Sequence, residues 1–347
     1  MKINTDNETL AENKVLILYI LDQTNKPITN DNLYKLVLTA IDMNYFYFQQ
    51  FLLDLISTKF IISYKKENQI IYELTEHGKS TLDLTLDILP GIIKLKVDTN
   101  LKTILDYAKE AGKKTGVITD KPLKDGTPLA FTAHLENRYR NTYGIAKEQI
   151  LSGVDIMMGT GYRDFKDYED LLIEEGYTLV RDKEQMISLD SDKFIGAFSN
   201  GSMLMTASIY PSIAEMAYKA LEQFSKNEEG FFLLVESGQI DNYCGKGDIE
   251  SMADKVVALD QVLRVSMNFA KENPETLIIV LADHETGGLI IGEGEPSSDW
   301  FTEPEKYHTP VNVPLFAYGM NSSAFEGKVL DNTEVFEYMM KLMGLEK

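Results

Sequence analysis

Apolar positions in the first part of the chain follow the spacing of helices and of one hairpin. The stripe formed by Val15, Leu16, Leu18, Tyr19 and Leu21 has the period of an amphipathic helix. A second helix follows a turn, and Asn30 or Asp31 is expected to cap it, because short polar side chains accept hydrogen bonds from free backbone amides. The pattern predicts three helices, a β-hairpin and a last helix, in chain order over residues 10–21, 30–40, 45–57, 60–74 and 75–88.

From about residue 101 the pattern changes to helical stripes that alternate with short apolar runs. The apolar runs predict strands over residues 116–119, 154–159, 177–180, 231–235, 277–282 and 313–319. Alternation of strands and helices is typical of a parallel or mixed sheet with helices on both faces. The run at 277–282 holds only apolar or β-branched residues, so this strand is expected to be buried on both faces.

Length and composition limit the class of protein. A chain of 347 residues is expected to hold two domains or one large one. The change of pattern favours two, at 1–96 and 101–347. The net charge of -20 argues against a general binder of polyanions. Cys244 is the only cysteine, which excludes a disulfide framework. The start of the sequence lacks the apolar core of a signal peptide, and no apolar run is long enough to span a membrane, so we expect a cytoplasmic protein without a membrane partner.

Candidate metal ligands lie next to three of the predicted strands. Glu236 and Asp241 come after one strand, Asp283 and His284 after another, and His308 precedes a third. Ligands of α/β sheets bind beyond the carboxyl ends of the strands. Carboxylates and imidazoles suit zinc, and a group of this type suits two divalent ions that stabilise a phosphoryl displacement. For Asp283 and His284 taken alone, the alternative is a capped turn with a solvated imidazole.

Residues 101–347 resemble the alkaline phosphatase family. The matching stretches occur in the order of the family, at 116–119, 124–138, 159–161, 231–241, 276–288 and 308–319. The resemblance implies an α/β fold with an alkaline-phosphatase-like sheet and helices on both faces. It also implies a phosphate monoester as substrate, zinc and magnesium as cofactors, and a homodimer.

The resemblance assigns a role to eight positions of this sequence. It implies two zinc ions, one held by Asp241 and His308 and the other by Asp283 and His284. It implies a magnesium ion held by Glu236 and Thr127. Asp125 would hold the water shell of the magnesium, and the guanidinium of Arg138 would clamp the phosphate. Without the family resemblance, the alternative interpretation of Thr127 is a helix-capping residue, and that of Arg138 is a partner in a surface ion pair.

The sequence departs from the family pattern at three points. Before the matched part, the family has a strand that ends in an Asp bridging zinc and magnesium, followed by a nucleophilic Ser. Neither motif is found in this sequence. The sheet is therefore expected to be truncated. Gly245 stands where the family has a zinc-binding His, and Cys244 or Asp248 is the candidate substitute. Each metal would keep two protein ligands, whereas catalytic zinc normally has three. The resulting hypothesis is an impaired phosphomonoesterase.

The first domain resembles a family of uncharacterised winged-helix proteins of Clostridium-like bacteria, through residues 10–22, 43–46 and 74–79. A small α+β winged-helix domain implies DNA as a possible partner. Residues 1–96 contain ten Lys, no Arg and twelve Asp or Glu, however, so the basic surface typical of DNA readers is absent. Gln49 and Gln50 could read adenine, while Lys65 and Lys66 could contact phosphate. The alternative is a winged helix that binds protein or dimerises.

Overall fold

The chain consists of two compact units, Met1–Thr103 and Ile104–Lys347. The computed structural model describes residues 7–24, 26–41, 43–66, 69–89, 103–133, 142–199, 209–291, 300, 302, 308–309 and 311–345. Each unit has its own hydrophobic core, and the two are described separately.

The first unit contains the helices and the hairpin that the sequence predicts. Its helices are α1 (Asn7–Thr24), α2 (Asn30–Ala40), α3 (Tyr45–Ser57) and α4 (Glu76–Thr85). Its strands are β1 (Ile28–Thr29), β2 (Ile61–Lys66) and β3 (Gln69–Leu74), which form an antiparallel sheet in the order β1-β3-β2.

The cap of α2 differs from the prediction. Thr29, rather than Asn30 or Asp31, occupies the N-cap position, and its hydroxyl accepts a hydrogen bond from the backbone N–H of Asn32 at 3.4 Å. Asn30 is already helical, and its side-chain oxygen accepts a hydrogen bond from Gln49 on α3 instead. The local sequence offers several adjacent capping residues, and this tertiary contact decides between them.

The core of the second unit is a five-stranded parallel sheet. Its strands are β4 (Lys114–Pro122), β5 (Ile156–Thr160), β6 (Thr178–Val180), β7 (Phe194–Ala197) and β8 (Phe231–Glu236). Their order is β6-β7-β5-β4-β8, and every pairing between them is parallel. The predicted α/β class and parallel sheet are therefore confirmed.

Helices cover both faces of this sheet, as predicted. The helices that precede residue 277 are α5 (Ile104–Glu110), α6 (Gly126–Thr132), α7 (Thr142–Leu151), α8 (Tyr162–Phe165), α9 (Glu169–Glu174), α10 (Lys183–Ser188), α11 (Ile213–Phe224), α12 (Gln239–Cys244) and α13 (Ile249–Glu272). Adjacent strand residues point to opposite faces. Ile118 packs in a core cluster with residues of α11 and α13, and Val117 packs in another with residues of α5 and α7.

The strand predicted at 277–282 differs from its prediction. The observed strand β9 (Leu277–Leu281) pairs antiparallel with β12 (Leu315–Gly319) in a separate two-stranded sheet. Its first four residues are half-buried, and Leu281 is exposed at 49%. The expected burial on both faces is wrong, because among the described residues β9 does not join the five-stranded sheet.

A short ladder and a last helix complete the second unit. Strand β10 (Glu285–Thr286) pairs with β11 (His308–Thr309), and the last helix is α14 (Asn332–Leu342). Across the described ranges of both units, the helices are too short or too polar to cross a lipid bilayer.

Candidate functional site

The carboxyl ends of β4 and β8 bring two polar side chains into direct contact. Thr119 and Glu236 are register partners on these neighbouring parallel strands. The hydroxyl of Thr119 donates a hydrogen bond to Oε2 of Glu236 at 2.6 Å, and it accepts one from the backbone N–H of Lys121 at 3.1 Å. Glu236, a predicted magnesium ligand, therefore lies where α/β sheets bind their ligands.

A buried carboxylate, Asp120, follows Thr119 on β4. Its side chain accepts hydrogen bonds from the backbone N–H of Gln239 at 3.1 Å and from the hydroxyl of Ser237 at 3.4 Å. The residue is only 6% exposed. Burial raises the pKa of Asp120 from 3.8 to about 6, against the opposing effects of the Gln239 hydrogen bond and the charge of Lys255. Negative charge on Glu236 also raises this pKa.

Asp125 lies at the N-cap position of α6, yet its side chain does not cap the helix. It forms an ion pair with the ammonium group of Lys121. That ammonium also donates a hydrogen bond to the amide oxygen of Asn242 on α12, at 3.4 Å. Thr127, in the first turn of α6, is half-buried. Lys121, Asp125 and Asn242 link the end of β4, the start of α6 and α12.

Cys244 and Asp248, the two candidate substitutes for the family's zinc-binding His, both have structural roles. Cys244 is buried, and its thiol donates a hydrogen bond to the carbonyl of Thr286 at 3.2 Å. Burial raises the pKa of Cys244, which disfavours the thiolate that binds metal. Asp248 caps α13 through the backbone N–H of Ser251 at 3.2 Å. Asp241, on α12, is half-buried.

Asp283 and His284 contact each other beyond the end of β9. One carboxylate oxygen of Asp283 lies 3.3 Å from Nε2 of His284, and the other accepts the backbone N–H of His284 at 3.1 Å. Nδ1 of His284 lies 3.2 Å from the carbonyl of Glu285. The side chain of Asp283 is 76% exposed. Two donor atoms that each lie roughly 2.0–2.2 Å from one tetrahedral zinc ion are about 3.3 Å apart, so this contact fits two ligands of one ion as well as a polar turn.

Two predicted site residues are described only in part or not at all. The backbone of His308 is paired with Thr286 in the β10–β11 ladder, which brings it close in the fold to the Asp283–His284 turn. The side chain of His308 and all of Arg138 lie outside the described residues.

Among the described residues, the side chains do not form a complete ligand set for any of the three metal ions that the sequence resemblance implies. Within the part of the chain that the structure describes, no three His, Cys, Asp or Glu side chains come together as a metal-binding group. Asp125 is paired with Lys121, Glu236 with Thr119, and Asp283 with His284. No chemical step is therefore assigned to a metal ion here.

Sequence reasoning missed the residues that complete this cluster: Thr119, Asp120, Lys121 and Lys255. A signal for the first three was present, because they directly follow the apolar run of β4 at its carboxyl end. Lys255 carries no such signal. It lies within α13 and is buried near Asp120 only through the packing of that helix.

In the first unit, the predicted DNA-reading residues have internal partners. The amide of Gln49 donates to Asn30 at 2.8 Å, and that of Gln50 donates to Asp54 at 3.4 Å. The exposed part of α3 is largely aromatic, with Phe46 71% exposed. Lys65 and Lys66 are exposed on β2, as a phosphate contact would require.

Together, fold and site define an α/β protein with polar side chains gathered at the carboxyl edge of a parallel sheet. A family model for alkaline phosphatase matches residues 79–307. A second model, for a domain of unknown function (DUF4364), matches residues 13–125. The first match covers more than half of the chain, and the chain therefore belongs to the alkaline phosphatase family.

Individual relatives agree with this assignment. Alkaline phosphatase 3 of Bacillus subtilis is 32% identical over 218 residues, which cover 59% of this chain and 47% of that protein. Alkaline phosphatase 4 of the same organism is 30% identical over 249 residues, which cover 67% of this chain and 54% of that protein. The chain thus spans about half the length of these curated relatives.

Solved structures show the same likeness. A cold-active alkaline phosphatase from a psychrophilic Shewanella sp. superposes with a TM-score of 0.65 at 25% identity, over 71% of this chain and 79% of that one. The alkaline phosphatase of the Antarctic bacterium TAB5 superposes with a TM-score of 0.61 at 25% identity, over 72% and 78%.

Proposed function

We propose that this chain is an alkaline-phosphatase-type hydrolase of phosphate monoesters with low activity. The observation that carries the proposal is the polar cluster at the carboxyl ends of β4 and β8, where Thr119 holds Glu236 at 2.6 Å. Membership of the family supports the substrate class. The cluster lies at the edge of the sheet where a phosphate ester can reach polar groups from several strands.

The proposal of low activity rests on incomplete chemistry. We infer low activity because no segment of the sequence resembles the family's nucleophilic Ser and bridging Asp. Loss of the nucleophile of a serine protease removes a factor of about a million in turnover. Gly245, at the position of a zinc-binding His, lies at the C-cap of α12 and has no side chain to offer. The described residues supply no group of three metal ligands.

Zinc and magnesium remain proposals. Asp241, His308, Asp283 and His284 are the proposed zinc ligands, and Glu236 and Thr127 the proposed magnesium ligands; Asp125 and Arg138 are the proposed residues beside magnesium and phosphate. Two solved variants of the TAB5 alkaline phosphatase hold magnesium. When bound, such ions would polarise the phosphate, whereas this chain's own residues would bind and orient the ester.

Hydrolysis of a chromogenic phosphate monoester tests the proposal. The full chain is assayed at alkaline pH with added zinc and magnesium, beside an Asp283→Ala/His284→Ala double variant. We expect slow hydrolysis that falls by roughly tenfold or more in the double variant, the range seen when groups at a metal site are removed.

A matched control is Asp260→Ala, which removes an exposed carboxylate paired with Arg264 on α13. This variant is expected to retain the wild-type rate. Equal rates for the wild-type chain and the double variant would overturn the proposal.

A winged-helix function of the first unit is the second candidate, because its helices and hairpin follow in the winged-helix order. Its test is a salt-dependent gel shift of genomic DNA fragments by the full chain. Absence of any shift at low salt would exclude DNA as the partner. A homodimer and a cytoplasmic location stay predictions from the sequence.

A further inference from the structure

We infer that Lys121 acts as a built-in cation in place of a magnesium ion, so that the cluster at the ends of β4 and β8 is stable without magnesium. This inference concerns the charge balance of the fold. It replaces the magnesium site proposed above and leaves the zinc proposal unchanged. It holds whether or not the chain hydrolyses phosphate monoesters, and its test does not use activity.

The position of the Lys121 ammonium group is the first observation. The ammonium pairs with the carboxylate of Asp125 and donates to Asn242 at 3.4 Å. The Lys121 side chain is 15% exposed, so this is not a solvated surface pair. Asp125 is the residue assigned to the water shell of magnesium, and it already has a cationic partner.

The fold makes room for the lysine stem. A Cβ atom added to Gly238 would lie 2.4 Å from Cδ of Lys121 and 3.1 Å from the carboxyl carbon of Glu236. The φ angle of Gly238 is -71°, which any residue can adopt. The need for glycine here is therefore one of space. The stem of Lys121 and the carboxylate of Glu236, a proposed magnesium ligand, both lie against this one position.

The side chain of Asp125 is diverted from its local role. An Asp at an N-cap position normally accepts hydrogen bonds from the first amides of the helix. Asp125 makes no such bond and pairs with Lys121 instead. The interaction with the ammonium group therefore outweighs the capping interaction at this position.

Two lysines offset part of the negative charge of the cluster without a divalent ion. Asp120, Asp125 and Glu236 are the carboxylates at the ends of the two strands, and Lys121 and Lys255 supply two positive charges. Lys255 is buried and its charge acts on Asp120. A divalent cation within reach of Asp125 would lie beside the ammonium of Lys121, and the two like charges would repel each other.

The test is thermal unfolding of the full chain as magnesium chloride is titrated after treatment with EDTA. The wild-type unfolding temperature is expected to stay constant. Lys121→Met keeps most of the apolar stem but removes the ammonium group. The space beside the Asp125 carboxylate then becomes available to a cation. This variant is expected to gain a saturable rise of roughly 5 °C or more when magnesium exceeds its dissociation constant a hundredfold.

Two further variants make the result specific. Lys121→Arg keeps the positive charge and should remain insensitive to magnesium. Lys124→Met removes a neighbouring lysine that pairs with Asp164 at 2.9 Å, and it should also remain insensitive. A saturable magnesium effect on the wild-type chain that Asp125→Asn abolishes would overturn the inference, and so would a folded Lys121→Met that gains no stabilisation.

Calorimetric titration keeps the inference testable if Lys121→Met does not fold. Magnesium chloride is then titrated into the wild-type chain and into Asp125→Asn. Weak heats of equal size for the wild-type chain and for Asp125→Asn support the inference, because the ammonium group of Lys121 already occupies the cation position beside Asp125. Saturable binding to the wild-type chain alone would overturn it.

Discussion

Phe224→Ala is expected to destabilise the second unit by about 4 kcal/mol, the typical cost of deleting a fully buried aromatic ring. Phe224 has no exposed surface and ends α11 above the sheet. Its ring lies 5.7 Å from that of Phe231 on β8, and a Cβ added to Gly116 on β4 would lie 2.8 Å from its Cε2. Because Gly116 has no side chain that could fill the space, the variant leaves a cavity.

Denaturant unfolding followed by tryptophan fluorescence measures this effect. The single tryptophan, Trp300, belongs to the second unit and packs near Cys244 and Met252. The Phe224→Ala midpoint should fall to lower denaturant concentration. Phe48→Ala, which deletes an equally buried ring in the core of the first unit, is the matched control. It should shift the unfolding transition followed by far-UV circular dichroism and leave the transition followed by fluorescence in place. A shift of the fluorescence transition in this control would contradict the conclusion that the two units have separate hydrophobic cores.

Strands β4, β5 and β8 could be predicted because each is a short apolar run that stops at polar residues. Strand β7 was missed, although all four of its residues are buried. A run as short as Phe194–Ala197 has too little periodicity to separate a strand from a loop. Its strand identity comes from the neighbours β5 and β6, which pair on either side of it.

The same limit explains the misjudged burial of β9. Its apolar composition correctly indicated a strand, but composition does not determine how many strands lie beside it. In the described residues it pairs with β12 in an antiparallel sheet and remains half-buried.

The sequence predicted where in the sheet the candidate site lies, but not which of its side chains contact each other. Glu236 was expected just past the end of a strand and is the last residue of β8, because strand ends can be located from hydrophobic runs to within about a residue. The pairing of Lys121 with Asp125 depends on the path of the turn after β4 and on the space above Gly238. Spacing alone does not contain that information.

Asp120→Asn is expected to stabilise the chain by about 2 kcal/mol near neutral pH, and to leave its stability nearly unchanged below about pH 4. Burial raises the pKa of Asp120 to about 6 in the folded chain, above the ordinary value of 3.8. The folded state therefore binds the proton more tightly than the unfolded state. Wild-type stability falls as pH rises from about 4 to about 6, and the loss then stays constant.

The asparagine variant stays neutral and avoids this loss, while its side-chain oxygen still accepts the N–H of Gln239 and its amide can donate to Ser237. A shift of about two pKa units corresponds to about 3 kcal/mol, and this net shift already includes the attraction to Lys255. The expected gain is set at about 2 kcal/mol because the asparagine amide replaces a protonated carboxyl in the same hydrogen bonds.

Urea denaturation at a series of pH values measures the difference between variant and wild type. The difference should grow with rising pH and level off above about pH 6. Asp190→Asn is the control with the opposite sign. The hydrogen bond and the charge of Lys226 lower the pKa of the exposed Asp190, so its contribution to stability is lost as pH falls. A difference for Asp120→Asn that does not change with pH, or that shrinks as pH rises, would show that the buried carboxylate does not titrate as the structure requires.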